Sequence, residues 1–306
     1  MANIKPTVTV AVSAYNEEAN IKRFLESILV QKELGFKIEK IIVISDGSTD
    51  STVFSIESIK DKRIILLKHN KRRGLAFRLN EAFNISESDI LIKFDADVIL
   101  ANELVIANLI KKFGSNVGLV GGFRKAISTG TFIEKVHMLG DDIWHNSKKT
   151  INNGENIHNH HGTISAMSSR LYKNLIVPSN LYGIDDFIYI KNYLLGLNFV
   201  FAEDALVHYQ NPTNIRDYFK QHRRFLSAKI NLQRYFDADI SALYLVPKKK
   251  LLASAMKAML KSPMLSVVYF CLETFVRISL KIKKYGYNKY GWDLSTSTKS
   301  LSFIRK

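Results

Sequence analysis

The chain of 306 residues has a single cysteine, Cys271. An intrachain disulfide framework is therefore excluded, and a reducing cytoplasm suits the protein. No internal repeat, low-complexity tract or pairing of cysteines with histidines at zinc-finger spacing occurs. Solenoids and structural zinc domains are set aside on that basis. Met1 to Pro6 leads straight into a strand-like run, so no signal peptide is expected. Between Lys261 and Glu273 only eleven residues are uncharged, against the roughly 20 apolar residues of a spanning helix, and no transmembrane segment is expected. No groove-reading motif or aromatic platform accompanies the basic residues, which argues against nucleic acid as a partner.

Positive charge is abundant but uneven. Forty-four Lys and Arg against 28 Asp and Glu give +16. Residues 241–306 carry 13 basic residues against Glu273 and Asp293, a local +11, which leaves +5 for residues 1–240. Two regions follow: residues 1–240 as a catalytic domain and 241–306 as a basic helical tail. In the tail Lys257, Lys261, Glu273, Arg277 and Lys281 recur at multiples of four, leaving apolar faces through Leu260, Met264, Val267 and Phe275. Pro263 suits the first turn of a new helix. Helices lying on an anionic membrane surface and helices packed on the catalytic domain both fit this pattern.

The first half alternates strand-like and helix-like runs: Val8 to Ser13, Asn20 to Val30, Lys40 to Ile44, Ile64 to Leu67, Leu75 to Phe83 and Asp89 to Phe94. A parallel sheet covered by helices is the economical arrangement. Ligands of such sheets sit beyond the carboxyl ends of the strands, where Ala14, Tyr15, Asn16, Glu17, Asp46, Asp95 and Asp97 fall. Asp95-Ala96-Asp97 presents two hard oxygen ligands at one strand end, the donor set of a divalent cation that can neutralise a diphosphate. Lys71, Arg72 and Arg73 can meet base or phosphate oxygens. His208 offers a third metal or phosphate ligand, or a hydrogen-bonded core histidine. His158, His160 and His161 suggest zinc, but without cysteines they suit a polar loop on the acceptor side.

Ala14-Tyr15-Asn16-Glu17-Glu18, Asp46-Gly47-Ser48-Thr49-Asp50, Gly74 to Asn80 and Asp95-Ala96-Asp97, in this order, resemble a family 2 glycosyltransferase. The resemblance continues through Gly183-Ile184-Asp185-Asp186, similar to that family's acidic catalytic motif, and Gln221-His222-Arg223-Arg224-Phe225, similar to its Gln-x-x-Arg-Trp motif. It spans about residues 6 to 235. Ser45, Asp185 and Phe225 depart from the family's usual Asp, Glu and Trp, which argues against a processive polymerase.

The resemblance implies an α/β glycosyltransferase A fold, a Rossmann-like, mainly parallel sheet flanked by helices, here with a helical C-terminal extension. It implies inverting transfer of a sugar from a nucleotide diphosphate sugar with Mg2+ or Mn2+. Tyr15, Asn16 and Glu17 would line the base and ribose pocket, with Asp46 accepting from the base. Asp97 would ligate the ion, and Asp95 would meet ribose or the ion through water. Asp186 would be the general base, with Asp185 orienting it or raising its pKa. Gln221 and Arg224, one turn apart on a helix from about Thr213 to Tyr235, would face the diphosphate.

The acceptor would be a carbohydrate or lipid-linked hydroxyl met through residues 121–170, and the enzyme would work in the cytoplasm, peripherally on the inner face of the cell membrane. Transfer to a polyprenyl phosphate is the alternative, since an ionised acceptor needs no base. A nucleotidyltransferase would share the base and metal pocket but leaves the Asp185-Asp186 and Gln221 to Phe225 matches without a purpose.

Overall fold

The computed structural model describes residues 5–127, 130–282 and 296–298. Among the described residues eight strands form one sheet: β1 (Thr7–Ala14), β2 (Lys37–Asp46), β3 (Ile64–His69), β4 (Ile90–Asp95), β5 (Ile99–Leu100), β6 (Val117–Ile127), β7 (Ile164–Ser168) and β8 (Asn198–Gln210). Their order is β3-β2-β1-β4-β7-β6-β8-β5. The four strands read from the sequence form the parallel half, while β7 runs antiparallel to both β4 and β6, and β5 antiparallel to β8. The sheet is thus mixed, with a parallel pair, β6 and β8, in its second half.

The described residues hold ten α-helices: α1 (Ile21–Leu29), α2 (Thr52–Glu57), α3 (Leu75–Ile85), α4 (Val105–Ile110), α5 (Phe132–Lys148), α6 (Ser169–Tyr172), α7 (Ile184–Leu194), α8 (Ile215–Leu232), α9 (Lys248–Lys261) and α10 (Pro263–Ile282). Alternation along β1 sends Val8, Val10 and Val12 to one face and Ala11 to the other. The first face packs on Phe24, Leu25 and Ile28 of α1 and on Val105, Ile106 and Leu109 of α4. The second packs on Leu79 and Phe83 of α3 and on Ile184, Phe187 and Ile188 of α7. At the start of α2, Oδ1 of Asp50 accepts from the Thr52 amide at 3.0 Å.

The tail packs on α5 through a third, smaller core of Val136 and Ile143 from α5, Ala258 from α9 and Tyr269 from α10. Gly140 makes this possible, because a Cβ there would lie 2.3 Å from the Tyr269 ring. Pro263 does open α10. By length and composition α10 is long and apolar enough to cross a membrane, which corrects the exclusion drawn from the uncharged run. Of the expected helical tail, residues 283–295 and 299–306, Asp293 among them, lie outside the described residues.

Candidate active site

Register brings the motifs to one level. Ser13 pairs with Asp95 across β1 and β4, and Ala14 with Ser45 across β1 and β2, so the three motif-bearing strands end together. Beyond them the Tyr15 to Glu18 turn is stitched to the 48–52 turn. Oδ1 of Asn16 accepts from the Thr49 amide at 2.9 Å, the Glu17 amide donates to Oγ1 of Thr52 at 2.7 Å, and Oε2 of Glu18 accepts from the Ser51 amide at 2.8 Å. Asn16 takes a left-handed φ of 53°, which an asparagine tolerates better than most residues. Asn16 and the largely buried Glu17 therefore shape the pocket rim by holding the two turns together.

Asp46 has a similar duty. Oδ1 accepts from the Arg73 amide at 2.8 Å and from Nε of Arg78 at 2.7 Å, while Oδ2 accepts from the Gly74 amide at 2.8 Å. A carboxylate has about four acceptor positions, so most of its capacity anchors the 71–74 loop, where the sequence suggested a contact to the base. Arg78, only 1% exposed, completes the anchor by reaching Glu81 at 3.0 Å and the Lys71 carbonyl at 3.0 Å. The loop's cations then diverge. Arg72 stacks 4.2 Å over the Tyr15 ring at the pocket, whereas Arg73 lies 3.4 Å over Phe77 on α3.

The second group of carboxylates converges on Lys93. This side chain is 3% exposed, and its Nζ donates to Oδ1 of Asp95 at 2.7 Å and to the Gly162 carbonyl. Burial alone would lower its pKa, but Asp95, Asp185 and Asp97 raise it above the ordinary lysine value, so the ammonium is kept. Gly162 in turn carries Asp185 against its backbone. A Cβ at 162 would fall 2.2 Å from Oδ1 of Asp185, so a larger residue there would displace that carboxylate. Lys93, Asp95, Gly162 and Asp185 thus form one contiguous unit joining β4, the strand-entry loop of β7 and the first turn of α7.

His160 supports this unit from below. Its Nδ1 donates to the Asp185 carbonyl at 2.9 Å, and its Nε2 accepts from the Ser165 hydroxyl at 2.8 Å. That pairing requires the neutral ring, and burial does push its pKa down to about 4. Nε2 of His161 faces Nζ of Lys148 at 3.0 Å, and among the described residues no group of three His, Cys, Asp or Glu could hold a metal. The zinc suggestion for His158, His160 and His161 is not borne out: the His160 and His161 rings are held by polar neighbours and the His158 ring packs on Tyr244.

Asp186, next on α7, turns elsewhere: its Oδ2 accepts from the Tyr244 hydroxyl at 2.8 Å. Burial, and then the Asp186 charge, push that phenol well above its ordinary pKa, so it remains a donor. On α8 Gln221 faces Nε2 of His137 from α5 at 3.3 Å, and Arg224 lies 5.2 Å from the Phe225 ring centroid. The Nε2 atoms of His137 and His222 are 3.2 Å apart. Nδ1 of His222 pairs with Glu273 of α10 at 2.5 Å, and Nδ1 of His137 lies 3.3 Å from Asp141. Asp141 also accepts from the Tyr209 hydroxyl at 2.8 Å and from Asn211 at 3.2 Å. Burial would raise the Asp141 carboxyl, but His137, Arg124 and Tyr209 hold it well below the usual range.

For a divalent ion, the donor chemistry fits. Asp95 and Asp97 supply oxygens, and Ile99, two residues past Asp97, pairs with His208 across β5 and β8. Nδ1 of His208 is buried and, among the described residues, has no hydrogen-bond partner. Burial lowers the pKa of this ring, which keeps a lone pair for a ligand. Three protein ligands do not already converge here, so diphosphate oxygens would complete the shell.

Four residues near these motifs escaped the sequence reading: Arg78, Lys93, Arg124 and Tyr244. Lys93 did leave a signal, since a cation inside Ile90-Leu91-Ile92-Lys93-Phe94 must find a partner when its strand is buried. Arg78 lies inside the Gly74 to Asn80 motif but had no role assigned to it, and Arg124, beside Lys125, belongs to no motif. Tyr244 lies past the 240/241 boundary.

Comparison with known proteins adds an independent line. The profile of glycosyl transferase family 2 matches residues 9–176. An uncharacterized glycosyltransferase, YfnE of Bacillus subtilis, is 24% identical, the match covering 97% of this chain and 92% of that one. The Escherichia coli UDP-Glc:alpha-D-GlcNAc-diphosphoundecaprenol beta-1,3-glucosyltransferase WfaP is 37% identical over 29% of this chain and 35% of its own. Among solved structures, the mannosyltransferase PcManGT of Pyrobaculum calidifontis, in complex with GDP-Man and Mn2+, superposes with a TM-score of 0.59 at 19% identity, covering 92% of this chain and 77% of that one. Glucosyl-3-phosphoglycerate synthase of Mycobacterium tuberculosis, with Mn2+ and UDP-Glc, gives 0.54 at 19% identity over 74% and 79%.

Proposed function

The chain belongs to glycosyl transferase family 2, and on that premise we propose that it moves a sugar, with inversion at the anomeric carbon, from a nucleoside diphosphate sugar to a hydroxyl group of a carbohydrate or lipid-linked acceptor. The observation that carries this reading is the shared unit around Lys93, which sets the Asp95 strand end beside the first turn of α7. Donor and acceptor chemistry then lie in one cleft.

In this reading Tyr15 and Arg72 receive the nucleoside, and the loop anchored by Asp46 and Arg78 sets the height of Arg72 above the strand ends. Asp97 and His208, with Asp95 through water, would hold Mg2+ or Mn2+, which supplies positive charge to the diphosphate when bound. Asp186 takes the proton from the acceptor hydroxyl as that oxygen bonds to the anomeric carbon, and the bond from that carbon to the diphosphate oxygen breaks. The proton ends on Asp186 and the electron pair on the nucleoside diphosphate. Tyr244 orients one carboxylate oxygen during this transfer. Gln221 and Arg224 assist departure of the diphosphate from α8.

The named acceptor of WfaP supports a place in lipid-linked glycan or cell-surface polysaccharide synthesis, and the basic tail supports a peripheral position on the cytoplasmic face of the membrane. A panel of nucleotide sugars tests the reading directly. Acceptor-dependent release of a nucleoside diphosphate, abolished by EDTA and restored by Mn2+ or Mg2+, is expected. Cleavage of every donor at the same rate with and without EDTA would overturn the metal assignment, and release of pyrophosphate instead would overturn the reaction class.

A further inference from the structure

Helices α9 and α10 each use one side to pack on the catalytic region and leave another side apolar. On α9, Leu252, Met256 and Leu260 follow four-residue steps and are 62%, 58% and 86% exposed. On α10, Met264, Val267 and Ile278 lie on one face by helical period and are 69%, 52% and 50% exposed. A water-facing helix surface would place charged side chains at such positions. The charges sit beside these stripes instead. Lys257, Lys261, Arg277 and Lys281 are exposed, and residues 248–282 hold seven basic residues against one acid. That acid, Glu273, is turned inward onto His222 and Tyr218.

We propose that the exposed faces of α9 and α10 dock on an anionic phospholipid surface, with the apolar residues entering the boundary between headgroups and acyl chains and the flanking lysines and arginine meeting lipid phosphates. This deepens the peripheral location proposed above and does not depend on which sugar is transferred. Charge identifies the occupant: a face whose only exposed charges are positive complements anionic headgroups, and the apolar stripes complement the layer directly beneath them. The reverse side of α10 argues for lying on the bilayer over crossing it. Tyr269 fills the space at Gly140, Val276 is fully buried, and Glu273 is bonded to His222, so a spanning helix would have to break all three attachments.

The test uses the full chain with vesicles of phosphatidylcholine alone or mixed with phosphatidylglycerol, sedimented at low and high salt. Wild type is expected to pellet with the anionic vesicles at low salt and to be released by high salt. Met264→Ser with Val267→Ser should weaken partitioning by on the order of tenfold or more, and Lys257→Gln with Lys261→Gln by a similar factor on the anionic vesicles only. Hydrolysis of the nucleotide sugar in the absence of vesicles should be unchanged in both variants, which shows that they fold and separates failure of docking from failure of the enzymatic reading. The proposal is overturned if wild type stays in solution with anionic vesicles, or if both variants pellet as well as wild type. It is also overturned if the bound protein resists extraction by alkaline carbonate, which would make α10 a spanning helix, or if the apolar face proves to be covered by a second copy, seen as a dimer that the Met264→Ser, Val267→Ser variant dissolves.

Discussion

The hydroxyl of Tyr244 donates a 2.8 Å hydrogen bond to Oδ2 of Asp186, tying the segment after residue 240 to the acidic motif at the start of α7. A donor on one oxygen of a carboxylate restricts its rotation. The bond is made by a residue that composition places in the tail, so the contacts of the acidic motif extend past the change in charge density.

Asp186→Asn should leave donor affinity intact and reduce transfer to a hydroxyl acceptor by a factor on the order of 10² or more. Tyr244→Phe should reduce it less, by about tenfold or under, since it removes one hydrogen bond and no proton acceptor. Steady-state rates at saturating donor, with nucleotide affinity measured alongside, check both. An Asp186→Asn enzyme that transfers at near the wild-type rate points to an ionised phosphate acceptor.

Asp97→Asn is expected to abolish the metal-dependent part of nucleoside diphosphate binding while leaving the thermal midpoint within a degree or so, because a strand-end carboxylate contributes little packing. Titration calorimetry with Mn2+ and without it decides the matter. Unchanged metal-dependent affinity removes Asp97 from the ligand set.

Lys93→Met should destabilise the fold, since it strands the Gly162 carbonyl without its donor. The cost should be about 1–3 kcal/mol, below the 3–5 kcal/mol of breaking a fully buried pair, because the Asp95 side chain is 39% exposed and water can take over. Denaturant unfolding measures it. A variant as stable as wild type would show that the ammonium is dispensable.

Stability should also fall on mild acidification. Unfolded, His160 takes up a proton near pH 6.5, whereas folded it does so only near 4. Between these values the unfolded chain binds more protons, so His160's contribution is complete above pH 6.5 and is lost as the pH falls through about 4. The whole effect is on the order of 3 kcal/mol. His161, also held well below its ordinary value by burial, acts in the same direction. Thermal melts from pH 7 to 4.5 should be flatter for His160→Gln than for wild type, and an identical slope would refute the assignment.

The parallel half of the sheet was legible because its signals are local: apolar runs such as Val8 to Ser13, each followed by a turn motif and an amphipathic helix. The antiparallel half was not, since β7 inserts between β4 and β6 and β8 between β6 and β5, pairings made across long stretches of chain. Within the site, motif spacing indicated the strand ends bearing Asp46, Asp95 and Asp97. It did not show how Asp46 is used, because the Arg73 and Gly74 amides and Arg78 that occupy it come from a separate loop and helix. Tyr244 and the Glu273–His222 pair were hidden for the same reason, as each joins elements far apart in sequence.

The hydrogen-bonded contact between Glu273 and Nδ1 of His222 couples α10 to the helix that carries the Gln221 to Phe225 motif. A catalytic domain hung from a surface by a loose tether samples every tilt and height. One seated through a helix whose back is bonded into its own cleft wall cannot. If α10 rests on the bilayer, the strand ends that carry Asp95 and Asp97 stand at one elevation above the headgroups, and the height at which an acceptor is presented becomes part of what the enzyme selects.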